Sequence, residues 1–408
     1  MEVKEADAKY LVPVRRRPIK LGALPADWDV IELATRATIQ SGIAKNANAA
    51  LRDPVAVPYL RVANVQDGYL DLREVALIEI ERSDLNRYAV LPGDVLMNEG
   101  GDLDKLGRGA LWHGQIDPCV HQNHVFVVRC KAGLVPEYLN AWTSTAQARR
   151  YFMLAGRQTT NLASINKTSL GELTVAVPPT EGEQREIAKA ISDTDALIDS
   201  LEQLLTKKRQ IKQGAMQELL TGKRRLPGFI KAWTHTTLAQ VADMKSGLAI
   251  TASRLQETYP YPCYGGNGQR GFTDSFTHEG SYALIGRQGA LCGNVCLAKG
   301  RFYASEHAVV VTTHKNVDVI WLHYVLIRMN LNQYSESSAQ PGLSVEKLLK
   351  LELNLPEFSE QQAIGEILAD IDADIEVLEM RLAKTRILKQ AMAQALLTGR
   401  IRLVEPTT

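Results

Sequence analysis

The chain repeats itself, and the repeat limits what it can fold into before any single motif is weighed. Glu183-Gln184 returns as Glu360-Gln361, and Leu219-Leu220-Thr221-Gly222 as Leu396-Leu397-Thr398-Gly399, both 177 residues later. From Glu183 to Leu226, about 20 of 44 positions recur without a gap. Upstream, Leu170-x-x-Leu173-x-Val175-x-Val177-Pro178 answers Leu348-x-x-Leu351-x-Leu353-x-Leu355-Pro356 at an offset of 178, so the second copy lacks one residue between strand and helix. Trp28, Leu33, Ser41-Gly42 and Ala44 recur as Trp233, Leu238, Ser246-Gly247 and Ala249, 205 residues on. Residues 46–165 and 251–343 do not align. Two similar supports therefore carry two different heads.

The supports read as long helices. Thr180 precedes Glu183 at capping-box spacing, and Ser359 can take the same part with Gln362. Pro178, Pro179 and Pro356 close the preceding strands. One apolar seam runs Ile187, Ile191, Thr194, Ile198, Leu201, Leu205, Lys208; the other runs Ile364, Leu368, Ile371, Ile375, Leu378, Leu382, Thr385. Both step by four and three alternately, the heptad pattern of a coiled coil. Gly222 and Gly399 stand where C-caps belong. Roughly 39 residues at a rise of about 1.5 Å make each helix about 58 Å long. A single heptad stripe cannot stay exposed, and two equal stripes in one chain pair most simply with each other, antiparallel. A plain dimerisation rod is the simpler alternative, but each helix here is fused to a head of over 100 residues.

Bulk properties bound the function. At 408 residues the chain suits two or three domains. Its 47 basic and 46 acidic side chains leave a net charge of +1, so the basic excess typical of nucleic-acid binders is absent. Any contact with DNA must come from local patches. Cys119, Cys130, Cys263, Cys292 and Cys296 are odd in number and scattered, which argues against a secretory disulfide framework, and Cys292-x-x-x-Cys296 lacks a second ligand pair for zinc. No run of about 18 apolar residues suggests a membrane span. The first 23 residues, with Arg15, Arg16 and Arg17 but no apolar stretch, read as a polar leader rather than a secretory signal. A cytoplasmic protein is the expectation.

At this point the order of segments resembles a known family. The first head carries Val57-Pro58-Tyr59-Leu60-Arg61-Val62-Ala63-Asn64-Val65-Gln66-Asp67-Gly68, then Gly93-Asp94-Val95-Leu96, then the glycine-rich stretch from Glu99 to Gly109, then His121-Gln122-Asn123-His124. The second carries Tyr264-Gly265-Gly266-Asn267-Gly268, Ala283-Leu284-Ile285-Gly286-Arg287-Gln288-Gly289-Ala290 and Glu306-His307-Ala308. Together with the helical repeat, over about residues 24–403, this layout is similar to the specificity subunits of Type I restriction–modification enzymes. The departures are the leader before Leu24 and Glu357 in place of a second proline. The resemblance implies two target recognition domains, separated by helices that act as spacers and as docking surfaces for two methyltransferase subunits. It implies double-stranded DNA as ligand, no cofactor in this chain, S-adenosylmethionine in the methyltransferase partner, and ATP and Mg in a restriction (translocase) partner if one is present.

The implied fold is α+β: two mixed α/β recognition domains separated by two long helices in an antiparallel coiled coil, with a pseudo-two-fold internal repeat. The expected divisions are a polar leader over 1–23, a first recognition domain over 24–176, a helical region over 177–226, a second recognition domain over 227–354 and a second helical region over 355–408. Strands are expected at Leu173–Val177 and Ala308–Thr312 and a helix over Pro136–Ala148.

Candidate DNA contacts follow from side-chain chemistry, Asn and Gln suiting adenine edges and Arg suiting guanine or phosphate. They are Arg61, Asn64, Gln66, Lys105, Arg108, Asn123 and His124 in the first head, and Asn267, Gln269, Arg270, Arg287 and Gln288 in the second. Each has a bland alternative as an ordinary loop residue. Gly266-x-Gly268-x-x-Gly271 matches a dinucleotide-binding fingerprint only in letters, since Pro260 and Pro262 interrupt a preceding strand and no amphipathic helix follows. His121 and His124 have no acidic companion nearby in sequence and read as structural rather than metal-binding. Lys207-Lys208-Arg209 and Lys223-Arg224-Arg225 read as solvated faces or last-turn dipole partners. Trp28 and Trp233 read as core anchors. No methyl-transfer, Walker or nuclease motif is legible, which argues against a self-sufficient enzyme. A coiled-coil scaffold whose heads bind proteins is the rival from a different class, and salt-insensitive association without affinity for a defined duplex would mark it.

Overall fold

The computed structural model describes residues 16–19, 22–44, 51–103, 106–158, 163–289, 291–335 and 342–403. The chain forms two compact units: residues 1–200 with 383–408, and residues 201–382. Each unit holds one head together with parts of both long helices.

The heads share a core that their sequences conceal. In the first, a four-stranded sheet runs Ala37–Ser41, Val125–Cys130, Val95–Asn98, Gly109–Leu111. In the second, a six-stranded sheet begins Ala242–Ser246, Ala308–Thr313, His278–Gly286, Val295–Ala304 and continues with Tyr261–Gly265 and Gly268–Thr273. The neighbours within each four are antiparallel and occur in the same chain order. Strands such as Val125-Phe126-Val127-Val128 and Val309-Val310-Val311 are β-branched or aromatic runs buried on both faces, as central strands require. A short parallel pairing is also common to both: Val120↔Tyr59 and His121↔Leu60 in one head, Cys263↔Tyr303 and Tyr264↔Ala304 in the other. Each head is closed by an antiparallel pair of its own first and last strands, Asp29–Glu32 with Thr174–Val177 and Thr234–Thr237 with Glu352–Leu355.

The long helices span Glu181–Leu219 and Phe358–Leu397. Thr180 Oγ1 accepts the Glu183 N–H at 3.2 Å, half of a capping box. Ser359 lies inside its helix rather than at the cap, because Glu357 O already accepts the Glu360 and Gln361 N–H groups. Gly222 and Gly399 take φ of +71° and +61°, the left-handed C-cap geometry that a side chain would oppose. Among the seam residues, Ile187, Ile191, Leu201, Leu205, Ile364, Leu368, Ile375 and Leu382 are buried, and Ile198, Ile371 and Leu378 half-buried. Within residues 201–382, Lys208–Asp374 and Lys212–Asp372 pair at 2.6 Å, which sets the helical segments antiparallel. In the other unit Lys389 pairs with Asp195. Lys208 and Arg209 thus cross-brace the helices, Arg209 reaching Glu379 at 2.6 Å while its side chain stays exposed to solvent.

Both head cores take helix residues from both copies. The first cluster gathers Trp28, Phe126, Tyr138 and Trp142 with Ile187, Ile191, Leu396 and Leu397. The second gathers Trp321, Tyr324, Val309 and Val311 with Ile364, Leu368, Leu219 and Leu220. Three details differ from the sequence reading. The leader contributes a ribbon, Arg16–Ile19 antiparallel to Gly22–Pro25. The helix expected over Pro136–Ala148 is two helices, Pro136–Thr143 and Ala146–Ala155, the second capped by Thr145. Pro262 lies inside Tyr261–Gly265; the strand tolerates it because pairing with Val295–Ala304 begins only at Cys263.

Candidate nucleic-acid interface

The hydrogen-bond pattern aligns what the sequence could not. A Cβ built on Gly42 would stand 2.0 Å from His121 O, and one built on Gly247 2.1 Å from Ala304 O. Both glycines let a strand end press directly against backbone. Counting on from these contacts, His124 corresponds to His307. Glu99 donates its N–H to His124 O and accepts from Ile165 N; Arg287 donates to His307 O and accepts from Leu343 N, all at 2.8–2.9 Å. Glu99 and Arg287 therefore occupy the same place at the end of a central strand, and the loops around them form equivalent clusters.

In the first head, buried Asn98 donates from Nδ2 to Val65 O at 2.8 Å and so fastens the Arg61–Asp71 loop to the strand end. The loop is further pinned by Gly68 N to Gly109 O and by Arg149 to Asp67 at 2.6 Å. This leaves the Arg61 side chain exposed and Gln66 half-exposed, with Gln66 Nε2 donating to Ala63 O. Arg108 is half-exposed, its carbonyl accepting from Asn98 N. His124 Nδ1 lies 2.5 Å from Glu99 Oε2, and its Nε2 3.3 Å from Asn123 Nδ2. The acidic companion absent from the sequence neighbourhood is thus supplied by a neighbouring strand. His121 is buried with Nδ1 against Val125 O at 2.6 Å, and burial pulls its basicity below the ordinary range. Among the described residues no three His, Cys, Asp or Glu side chains form a metal cluster.

In the second head, Gly266-Asn267 is the tight turn of a hairpin, and Gly268 takes φ +78°. A Cβ on Gly286 would stand 1.9 Å from Gly266 O, so this turn sits directly on the end of the central strand. Asn267 accepts from Asn294 Nδ2 at 3.3 Å, Gln288 Oε1 lies 3.1 Å from His307 Nδ1, and Arg287 Nη1 donates to Ser246 Oγ at 3.0 Å. Gln269 and Arg270 follow on the exposed edge strand, Arg270 at the bulge where the register slips. A glycine-tight turn, not a cofactor loop, explains the fingerprint-like spacing.

Two of the sequence candidates fare differently. Asn64 is buried: its Oδ1 accepts Arg61 N, and its Nδ2 donates to Asp71 O and Glu74 O at 2.8–2.9 Å. With its amide consumed, it shapes the loop and does not face a base. Lys105 lies outside the described residues. Sequence reasoning missed Glu99, Ser246, Asn294 and His307 as members of these clusters, because the equivalence that brings them together is carried by backbone hydrogen bonds.

Sequence reasoning also missed what the repeated Glu-Gln pairs do. Gln184 Oε1 accepts Val135 N at 2.8 Å and Nε2 donates to Gly133 O; Gln361 Oε1 accepts Asp318 N at 2.8 Å and Nε2 donates to Asn316 O. Each glutamine pins its helix start to a turn of the head. Each glutamate meets an arginine: Arg402 forks onto Glu183 at 2.6–2.7 Å, and Arg225 onto Glu360 at the same distances. Arg225 is therefore no solvated helix-end charge. The repeat itself was the available signal, since Arg225 and Arg402 stand at matching positions.

A family model described as the Type I restriction modification DNA specificity domain matches residues 25–213 and again 230–384. The chain belongs to that family. Its two matched stretches each begin beside a head tryptophan and run into a long helix. A Type I restriction enzyme EcoprrI specificity subunit from Escherichia coli is 49% identical over 140 residues, which is 33% of this chain and 35% of that relative. A putative MjaX specificity subunit from Methanocaldococcus jannaschii is 23% identical over 94% of this chain and 96% of its own length. The crystal structure of the Type I restriction–modification S subunit from M. genitalium shares the fold, with a TM-score of 0.63, 14% identity, and coverage of 90% of this chain and 96% of that one.

Proposed function

We propose that this specificity-domain chain is the non-catalytic DNA reader of a Type I restriction–modification complex, its heads within residues 24–176 and 227–354 each reading one half of a split, asymmetric target. The carrying observation is that one scaffold presents two different sets of side chains at the same strand ends. The first head offers Arg61, Gln66, Glu99, Arg108, Asn123 and His124; the second offers Asn267, Gln269, Arg270, Arg287, Gln288, Asn294 and His307. Both sets are rich in the amides and guanidinium groups that read base edges. Phosphate contacts would set register, and base contacts would set sequence.

The helices have work beyond spacing. Leu197, Leu204 and Ile211 recur every seven residues on the first and are 41–47% exposed; Met380, Ile387 and Leu388 on the second are 55–69% exposed. Apolar side chains left outside the seam suit the docking of methyltransferase subunits, which would carry S-adenosylmethionine, while ATP and Mg2+ would belong to a restriction partner. The reading is tested by exchanging the second head for that of another family member and selecting bound duplexes from a random library. One half-site should survive unchanged and the other should change, with affinity falling steeply as salt rises. A change in both halves, or salt-insensitive binding without sequence preference, would refute it.

A further inference from the structure

The two arginine–glutamate forks do more than close the fold. Arg402 places Nε and Nη2 on Glu183 and Nη1 on Asp27 at 2.6 Å, using both edges of its guanidinium. Its side chain is 2% exposed and that of Glu183 1%. Arg225 forks onto Glu360, donates also to Lys231 O, and lies with its guanidinium 5.5 Å from the centre of the Trp233 ring, whose Nε1 donates to Glu360 at 3.0 Å. In the first unit three segments distant in sequence meet: the entry of the head at Asp27-Trp28, the start of the helix that leaves it at Glu183, and the chain after the second helix at Arg402. In the second unit one continuous segment, Arg225 to Trp233, runs from the end of the first helix into the head and meets the start of the second helix at Glu360.

A buried ion pair contributes little net stability compared with apolar packing, because desolvation offsets the Coulomb attraction. What a planar, bidentate fork supplies is direction. We infer that Arg402–Glu183 and Arg225–Glu360 are positioning clamps that fix the angle of each head on its helix, and so make the protein selective for the number of base pairs between half-sites. This rests on the split-target reading. Adding one base pair to the spacer turns one half-site by about 35° and moves it by about 3.4 Å. A head held at one angle by its clamp cannot follow that turn, whereas a head free to pivot can. Neither arginine lies in the base-reading clusters, so base preference and spacing preference should separate.

The test uses the chain complexed with its methyltransferase partner and a series of duplexes whose selected half-sites are moved together or apart by single base pairs. The wild type should show one sharp optimum; no split target at all would sink the split-target reading itself, before the clamps are tested. Arg402→Lys keeps the charge and loses the fork. The double variant Glu183→Gln with Arg402→Gln removes the pair without leaving a buried charge. Both should keep the bases read in each half while their discrimination against a one-base-pair spacing error falls by about tenfold or more. An unchanged spacing optimum in a folded variant overturns the inference. So does a changed base preference with spacing still sharp. Should the double variant not fold, Arg225→Lys and Glu360→Gln with Arg225→Gln repeat the experiment at the more open clamp, with the same two outcomes.

Discussion

His323 should make the second unit acid-sensitive in a way that one substitution removes. It lies on the helix Val319–Arg328, 8% exposed, with Nδ1 buried and unbonded. Burial, reinforced by the Lys212 and Lys299 charges and opposed by Asp372, pulls its pKa from 6.5 to about 4. Lys212 is held there by Asp372 at 2.6 Å and lies 5.5 Å from the Tyr324 ring centre, while Tyr324 Oη donates to Asp372 at 2.8 Å. Because the folded value is below the unfolded one, the unfolded chain takes up the proton first as pH falls. At about 1.36 kcal/mol per pH unit, the full penalty is roughly 3 kcal/mol, fully expressed below about pH 4. Near pH 5 it is about 2 kcal/mol, and above about pH 7 it is negligible. Urea unfolding of wild type and His323→Gln at pH 7 and pH 5 isolates it, since titrating groups remote from His323 cancel in the difference. The wild type should lose about 2 kcal/mol more than the variant between the two pH values. Parallel losses would refute the claim that this histidine is held neutral by its surroundings.

Other substitutions test the remaining links. Gly286→Ala would force a Cβ against Gly266 O and should cost about 1–3 kcal/mol, with loss of only the second half-site in duplex selection. Arg287→Ala and Gln288→Ala should each relax one position of that half-site, costing about 1–3 kcal/mol of discrimination and leaving the first half intact. Glu183→Ala leaves the buried Arg402 guanidinium with Asp27 as its remaining carboxylate partner and should cost about 2–3 kcal/mol in urea unfolding. Glu360→Ala should cost less, because the Arg225 side chain is 27% exposed and water can reach it. Leu204→Glu should weaken capture of the methyltransferase partner without changing the bases selected from free duplexes.

The helices were legible because a heptad seam is written in consecutive residues: Ile187 to Leu205 and Ile364 to Leu382 follow directly from spacing, as do the C-cap glycines. The heads were legible only at their rims. Trp28, Ser41-Gly42 and their counterparts stood at constant offsets, but the shared four-stranded core is carried by β-branched runs whose identities are free to drift while volume and alternation are kept. Backbone hydrogen bonds hold Glu99 and Arg287 in equivalent places, and such bonds leave no mark on side-chain identity. Asn64 shows the opposite difficulty, since an amide that satisfies a turn and one that meets a base look alike in sequence. Arg225 and Arg402 were visible as repeated residues, yet only burial shows that a charge beside a helix end points inward.

The most direct test of a two-headed DNA reader is methylation-sensitive sequencing of DNA from cells that express the methyltransferase partner with and without this chain. A split, asymmetric methylated motif should appear only when the chain is present, and the Arg287→Ala variant should blur one half of it alone. A methylation pattern indifferent to the chain, with both proteins shown to be expressed, would contradict its role as the reader.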